Sequence, residues 1–478
     1  MKSNEHLLIS ERGAKTGYAP FQPGFVWWAL GLALAIGFAV GAHVAAVMAL
    51  RKPPGPGFAS FIQVHGHVQL IGWAGLLILG ISLHFIPRLV SQPILHPERI
   101  NHVLYLVVGG LTLRSLGHIL LPYIPAGLWF RLISYSVMIS GILEWLGILL
   151  YLTLLIQTFR ISSGTRSRRA LDGVMPFFLM MFSGWFIYST INMILLIQMV
   201  LQKGIIVNQL WDSFLNKIFL GLVLLPVAFA FSLRTFPLYL RLPAPNWAVT
   251  KAALVYLVAW CLETIPAFPN LFKETSRWIE ILITLGKFLK GGVILWIIWK
   301  LDVLTRCQEP WTGDRKLEPE PGRRPTRPGL PDYGEFGKFE WLIYAAYGWL
   351  ALAAFLEIFV AVTSWAKLPL SINPDALRHI YLMGFITHLI LGMAVRMIPG
   401  FLRKKRVAST KLVEATFWFG MLAATCRILP RLIPHVYLRS LPVLLTFAQT
   451  MFGLSGIFAM ITVGCLTVNL MRTSRNFN

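Results

Sequence analysis

Between Phe25 and Met471 the chain consists almost entirely of apolar stretches of membrane-spanning length, separated by short breaks rich in proline or charge. A helix needs about 20 apolar residues to cross the hydrocarbon core, and such stretches are expected near 25–50, 60–87, 100–122, 128–158, 174–202, 213–237, 247–268, 277–304, 339–365, 376–400, 410–433 and 441–471. The expected fold is therefore all-α and polytopic, with about twelve transmembrane helices. Hydrophobic residues make up 56% of the chain and charged residues 13%, roughly half the charged share of a soluble globular protein. This excludes a soluble enzyme on a single anchor. The polar tail 1–24 precedes a first apolar stretch too long for a signal-peptide core, so no signal peptide is expected.

The formal charge of +23 raises the question of nucleic acid, but its placement follows membrane topology. Arg160, Arg166, Arg168 and Arg169 fall in one break. Arg315, Lys316, Arg323, Arg324 and Arg327 fall in another, and Arg403, Lys404, Lys405 and Arg406 in a third. With twelve spans these breaks share one side, while the alternate breaks hold little beyond Arg51, Lys52, Lys203, Lys273, Arg277 and Lys367. The positive-inside rule makes that side, and both termini, cytoplasmic. The polar segment 306–337, rich in Pro, Gly and charge, reads as a flexible cytoplasmic linker within a single membrane domain, 25–471. Cys261, Cys307, Cys426 and Cys465 have no CxxC spacing, so neither a disulfide framework nor a zinc site is implied.

The chain also repeats itself. Residues 67–87 read HVQLIGWAGLLILGISLHFIP and residues 379–399 read HIYLMGFITHLILGMAVRMIP, identical at nine of 21 positions without a gap. Spans two and ten are thus one helix used twice, and span six is a fainter third copy, with Pro237 matching Pro87 and Pro399. In the helices that follow, Arg114, Glu263 and Arg427 lie 27, 26 and 28 residues beyond these prolines. Ser140-Gly141, Gly291-Gly292 and Ser455-Gly456 match in spans four, eight and twelve. The twelve spans resolve into three four-helix units, about 25–158, 174–304 and 339–471.

Polar side chains are costly in apolar spans and usually functional. His43, His65, His67, His84, His118, His379 and His388 all lie within or at the ends of spans. His67 and His379 share one register of the repeat, where the third unit has Lys217. Two imidazoles approaching a common centre in an apolar bundle form an axial pair for a haem iron. Gly72, Gly75, Gly80, Gly384 and Gly392 would give a porphyrin clearance, or else serve close helix packing. His65 is two residues from His67, a rotation of about 200°, and His388 is nine from His379, on the opposite face and about 13 Å deeper. A second metal at His65 or His388 competes there with ordinary interhelical hydrogen bonds. Arg114 and Arg427 suit haem propionates, the competing reading being ion pairs with Glu144, Glu263 or Glu357. Those acids equally suit a proton path.

At these residues the sequence resembles the NnrS family, membrane proteins of bacterial nitric-oxide metabolism. HGHVQLIG from His65 is similar to that family's HAHEMLFG, with Val68 and Gln69 departing from it; HIYLMGF from His379 is similar to HALTVGA, and LRTFP around Arg234 to RVIPF. The family's trailing GHTGR appears here only as GFLRKK. The likeness extends more remotely to the catalytic subunit I of haem-copper oxidases. It implies a haem b, copper as a further option, a bacterial inner-membrane location, and a role in nitric-oxide tolerance or response. The oxidase likeness implies twelve helices in three arcs with a low-spin haem held by histidines of spans two and ten, matching His67 and His379.

The oxidase copper ligands expected on spans six and seven have no counterpart, since residues 213–268 contain no histidine. A standard oxygen- or nitric-oxide-reducing centre is therefore not expected. The leading expectation is a bis-histidine haem protein exchanging electrons with a quinol or cytochrome c. The alternatives are a multi-helix transporter, whose folds also carry internal repeats, and a non-catalytic oxidase-like subunit.

Overall fold

The computed structural model describes residues 17–161, 173–268, 277–307, 334–368, 372–434, 438 and 440–475. No strand occurs among them. Eleven of the described helices are long and apolar enough to cross a membrane: α1 (Gly24–Ala49), α2 (Phe58–Leu89), α3 (Pro97–Tyr123), α4 (Leu128–Ile161), α5 (Met175–Leu201), α6 (Gln209–Tyr239), α8 (Arg277–Leu301), α9 (Phe339–Trp365), α10 (Pro374–Phe401), α11 (Thr410–Leu432) and α12 (Pro442–Arg475). The remaining helix, α7 (Val249–Thr264), is shorter than the expected 247–268. Its 16 residues reach about 24 Å, and Pro266, which can neither donate nor continue a helix, follows just beyond its end. Most of the segment read as a linker, 308–333, lies outside the described residues, as do Arg166, Arg168, Arg169 and Lys273.

The threefold repeat is visible in burial. The most apolar windows of α2, α6 and α10 are 78%, 78% and 72% buried, against 33–56% for the other candidate spans. The second helix of each unit is therefore an inner helix. Around them the outer helices pack in chain order, α3 on α4 on α5, α7 on α8 on α9, and α11 on α12 on α1, which closes the ring.

The inner helices share a further irregularity. Each passes into π-helical geometry just after the shared register position, at Val68–Gly75, Phe219–Leu224 and Ile380–Thr387. Each ends two residues beyond its repeated proline, at Leu89, Tyr239 and Phe401. A π segment loosens the regular ladder and sits frequently at functional sites, because it re-aims side chains and frees carbonyls. α1 has one as well, at Ala33–Phe38.

Both ends of the described chain lie on one face of the bundle. Phe21 packs on Phe401 with ring centroids 5.0 Å apart, and the Ala408 amide donates to Thr473 Oγ1 at 2.9 Å. On the opposite face the Gln63 side chain clamps the backbone of Val207, donating to its carbonyl at 2.7 Å and accepting from its amide at 3.0 Å. The residues after α10, Arg403 to Arg406, belong to the face of the termini.

Candidate functional site

Each arc of the ring encloses its own group of polar side chains. In the first, His67 of α2 is buried between α3, α4 and α5. Its Nε2 lies 3.0 and 3.1 Å from the two carboxylate oxygens of Glu144, and its Nδ1 lies 3.2 Å from the Tyr188 hydroxyl. A carboxylate only accepts, so Nε2 carries the hydrogen. Arg114 donates to Asn192 Oδ1 at 2.6 Å and stands 3.4 Å from His67 Nε2. Both ring nitrogens of His67 are thus occupied by protein.

The second arc is built around Lys290 of α8. Its ammonium is hydrogen-bonded to Glu263 of α7 and lies 2.8 Å from Glu357 Oε1 of α9. The expectation that these two acids serve Arg114 or Arg427 is corrected here, because a lysine unremarked in the sequence takes both.

The third arc, between α10, α11, α12, α1 and α2, holds a cavity of about 310 Å³ that α6 also lines. His379 lines it from α10, and the α2 histidine facing it is His65, not His67. His65 Nδ1 donates to the Gly37 carbonyl at 2.7 Å, and His379 Nδ1 donates to the Asp375 carbonyl at 2.8 Å, with the Asp375 carboxylate at 3.3 Å. In each ring the hydrogen sits on Nδ1, because its partners can only accept, which leaves a lone pair on Nε2. Metal-ligating histidines typically donate their second nitrogen to a carbonyl or carboxylate in this way.

Arg427 and Arg431 of α11 also line the cavity, their guanidinium groups 4.2 and 4.6 Å from the centre of the Phe452 ring, with Arg431 Nε 3.8 Å from Asp375. Arg378 adds a third cation and Asp212 a second acid to the wall. Three cations against two acids favour an anionic occupant. The remaining wall is largely apolar, with Phe38, Leu70, Leu382 and Ile386. Two donors on it, Gln69 Nε2 and Trp73 Nε1, are buried and have no partner among the described residues.

Space for the His65 ring comes from Gly41 on α1, where a Cβ would stand 2.5 Å from His65 Cε1. The glycines singled out from the repeat do something else. Side chains at Gly80, Gly384 and Gly392 would strike Phe25, Trp349 and Ile343, and Gly75 abuts Trp185. They serve helix packing, and none of them, nor Gly72, lines the cavity.

The other histidines lie apart. His388 lines a separate void of about 10 Å³ beside Gly420, its Nδ1 3.0 Å from the Met383 carbonyl. His84 lies edge-on to Phe21 and tilted against Phe401 on the face of the termini. His118 is buried in the first arc, and His43 lies against Phe61. No three of His, Cys, Asp and Glu are grouped to hold a metal among the described residues. Asp375, Arg431 and Arg378 were missed in the sequence, although Asp375, four residues before His379, falls on the same helical face.

No family model and no curated protein matches the sequence. Among solved structures the chain is similar to a chain from the cryo-EM structure of a haem-copper terminal oxidase dimer, at 14% identity and a TM-score of 0.69, covering 95% of this chain and 84% of that one. The fold is therefore haem-copper-oxidase-like, and the protein is a multi-pass membrane protein of that architecture.

Proposed function

We propose that this protein is a b-type haem membrane protein, with the haem in the third-arc cavity between His65 and His379. The observation that carries the reading is the pair of imidazoles, each fixed through Nδ1, on the wall of one cavity that Arg427 and Arg431 share. His65 replaces His67 in this proposal because Glu144 and Tyr188 occupy both nitrogens of His67. Arg427 keeps its expected role toward the propionates, with Arg431 beside it, whereas Arg114 faces His67 in another arc.

The residues fit such a group in donor chemistry, charge and wall polarity. Held by His65 and His379, a haem would supply one-electron transfer more readily than gas activation. Asp375 orients His379 and raises its basicity through the Nδ1 hydrogen bond. The apolar wall keeps water from the centre, and Arg427 and Arg431 compensate carboxylate charge at the edge. The solved oxidase of the same fold supports a redox role.

Within that role, the resemblance to NnrS favours nitric-oxide tolerance or response, and the oxidase fold favours respiratory electron transfer from a quinol or cytochrome c. Copper remains part of this proposal only as an option carried by the same resemblance. The basic run after α10 supports placing the face of the termini in the cytoplasm of a bacterial inner membrane. Purification with and without added haem tests the core of the proposal: a Soret band at one haem per chain supports it, and a folded preparation that takes up none refutes it.

A further inference from the structure

The second arc carries a charge arrangement for which the haem site has no use. Lys290 is buried and shared between Glu263 and Glu357. Within this directly bonded trio one ammonium meets two carboxylates, a surplus that is costly deep in a bundle surrounded by hydrocarbon.

The two acids are not equivalent. Glu263 has two more cations in electrostatic range, Lys287 from α8 and Lys217 from α6. Glu357 is only 2% exposed. Besides Lys290, the groups facing it are the like charge of Glu263 and the hydroxyls of Tyr381 from α10 and Tyr256 from α7. Tyr256 already donates to the Gly221 carbonyl at 2.7 Å. Glu357 Oε2 and the Tyr381 hydroxyl are both buried and neighbour each other, with no other hydrogen-bond partner among the described residues. Buried polar atoms are nearly always paired, so these two oxygens share a hydrogen between them.

We propose that Glu357 holds a proton, so that Glu263, Lys290 and Glu357 form a proton-binding site inside the bilayer. The site then contains one carboxylate, one ammonium and one neutral carboxylic acid, and its charge balances. The acid's Oε1 accepts from Lys290, and its O–H, on Oε2, is directed to the Tyr381 hydroxyl. The occupant is a proton rather than a metal, since one small positive charge removes the surplus and no metal-type grouping surrounds these residues among the described ones. The site belongs to the second arc and does not depend on haem in the third.

Infrared spectroscopy of the purified full chain in H2O and D2O tests this. The wild type is expected to show the carbonyl stretch of a protonated carboxylic acid that moves to lower frequency in D2O and is missing in E357Q. In E263Q the band also disappears, because Glu357 then gives up its proton to remain the counter-ion of Lys290. E357Q keeps the wild-type midpoint of thermal unfolding, since the amide matches the neutral acid in shape and charge. Identical carboxylic-acid bands in wild type and E357Q overturn the proposal. So does a band that survives unchanged in E263Q, or a large loss of thermal stability in E357Q, which marks an ionised Glu357.

Discussion

His65 Nδ1 lies 2.7 Å from the carbonyl oxygen of Gly37, and this contact sets the chemistry of the imidazole. A carbonyl can only accept, so the ring donates from Nδ1 and keeps a bare lone pair on Nε2. Gly37 lies in the π-helical stretch of α1, Ala33–Phe38, where the carbonyl ladder is irregular enough to offer an acceptor to another helix. One turn on, Gly41 leaves room for the ring itself.

Gly41→Val follows from that placement. A Cβ at this position would meet His65 Cε1 at 2.5 Å, and neither helix can withdraw without opening the α1–α2 contact. The variant is expected to fold and to lose most of its haem, measured as Soret absorbance per chain; full occupancy would show that His65 has no part in holding it.

His67→Ala separates structure from ligation. The substitution leaves Glu144 and the Tyr188 hydroxyl without their shared partner in a buried setting, at a cost of about 3 kcal/mol. Thermal unfolding in detergent should show that loss, while the haem spectrum of the folded fraction stays that of the wild type.

The relation between these two histidines also shows how far the sequence could be read. The spans and the three units follow from apolar length and from the match of 67–87 with 379–399, whereas the inner position of α2, α6 and α10 shows only in their burial. The equivalence of His67 and His379 is real as well. Its consequence was not legible, because a threefold arrangement multiplies sites rather than merging them: His67, Lys217 and His379 each face their own arc. The cavity at His379 is closed by the next unit from a different register, at His65. Two residues along a helix decide this, and only the rotation of α2 against α1 fixes it. Lys290 was hidden for another reason, since a lone lysine in an apolar span does not reveal which acids it meets.

Asp375→Asn tests the orientation of His379. The Asp375 carbonyl still accepts from Nδ1, but the carboxylate that reinforces it is gone. Loss of such an outer partner typically costs 10–100-fold in affinity, so haem retention against an apoprotein acceptor is expected to fall by about 10-fold, with the spectrum unchanged.

Lys290→Met isolates the charge group of the second arc. Without the ammonium, Glu263 loses its directly bonded partner and keeps only the more distant Lys217 and Lys287, and breaking such a buried group costs about 3 kcal/mol. Adding E263Q and E357Q to the same chain removes the charges together and is expected to restore most of the stability, which denaturation midpoints in one detergent would show.

The most direct test of the account is the reduced-minus-oxidised optical spectrum of purified wild type beside His65→Ala, His379→Ala and His67→Ala. A low-spin b-type spectrum in the wild type that persists in His67→Ala and is lost or turned high-spin in both His65→Ala and His379→Ala is the predicted result. A spectrum lost in His67→Ala and intact in His65→Ala, or no haem in any folded preparation, would contradict it.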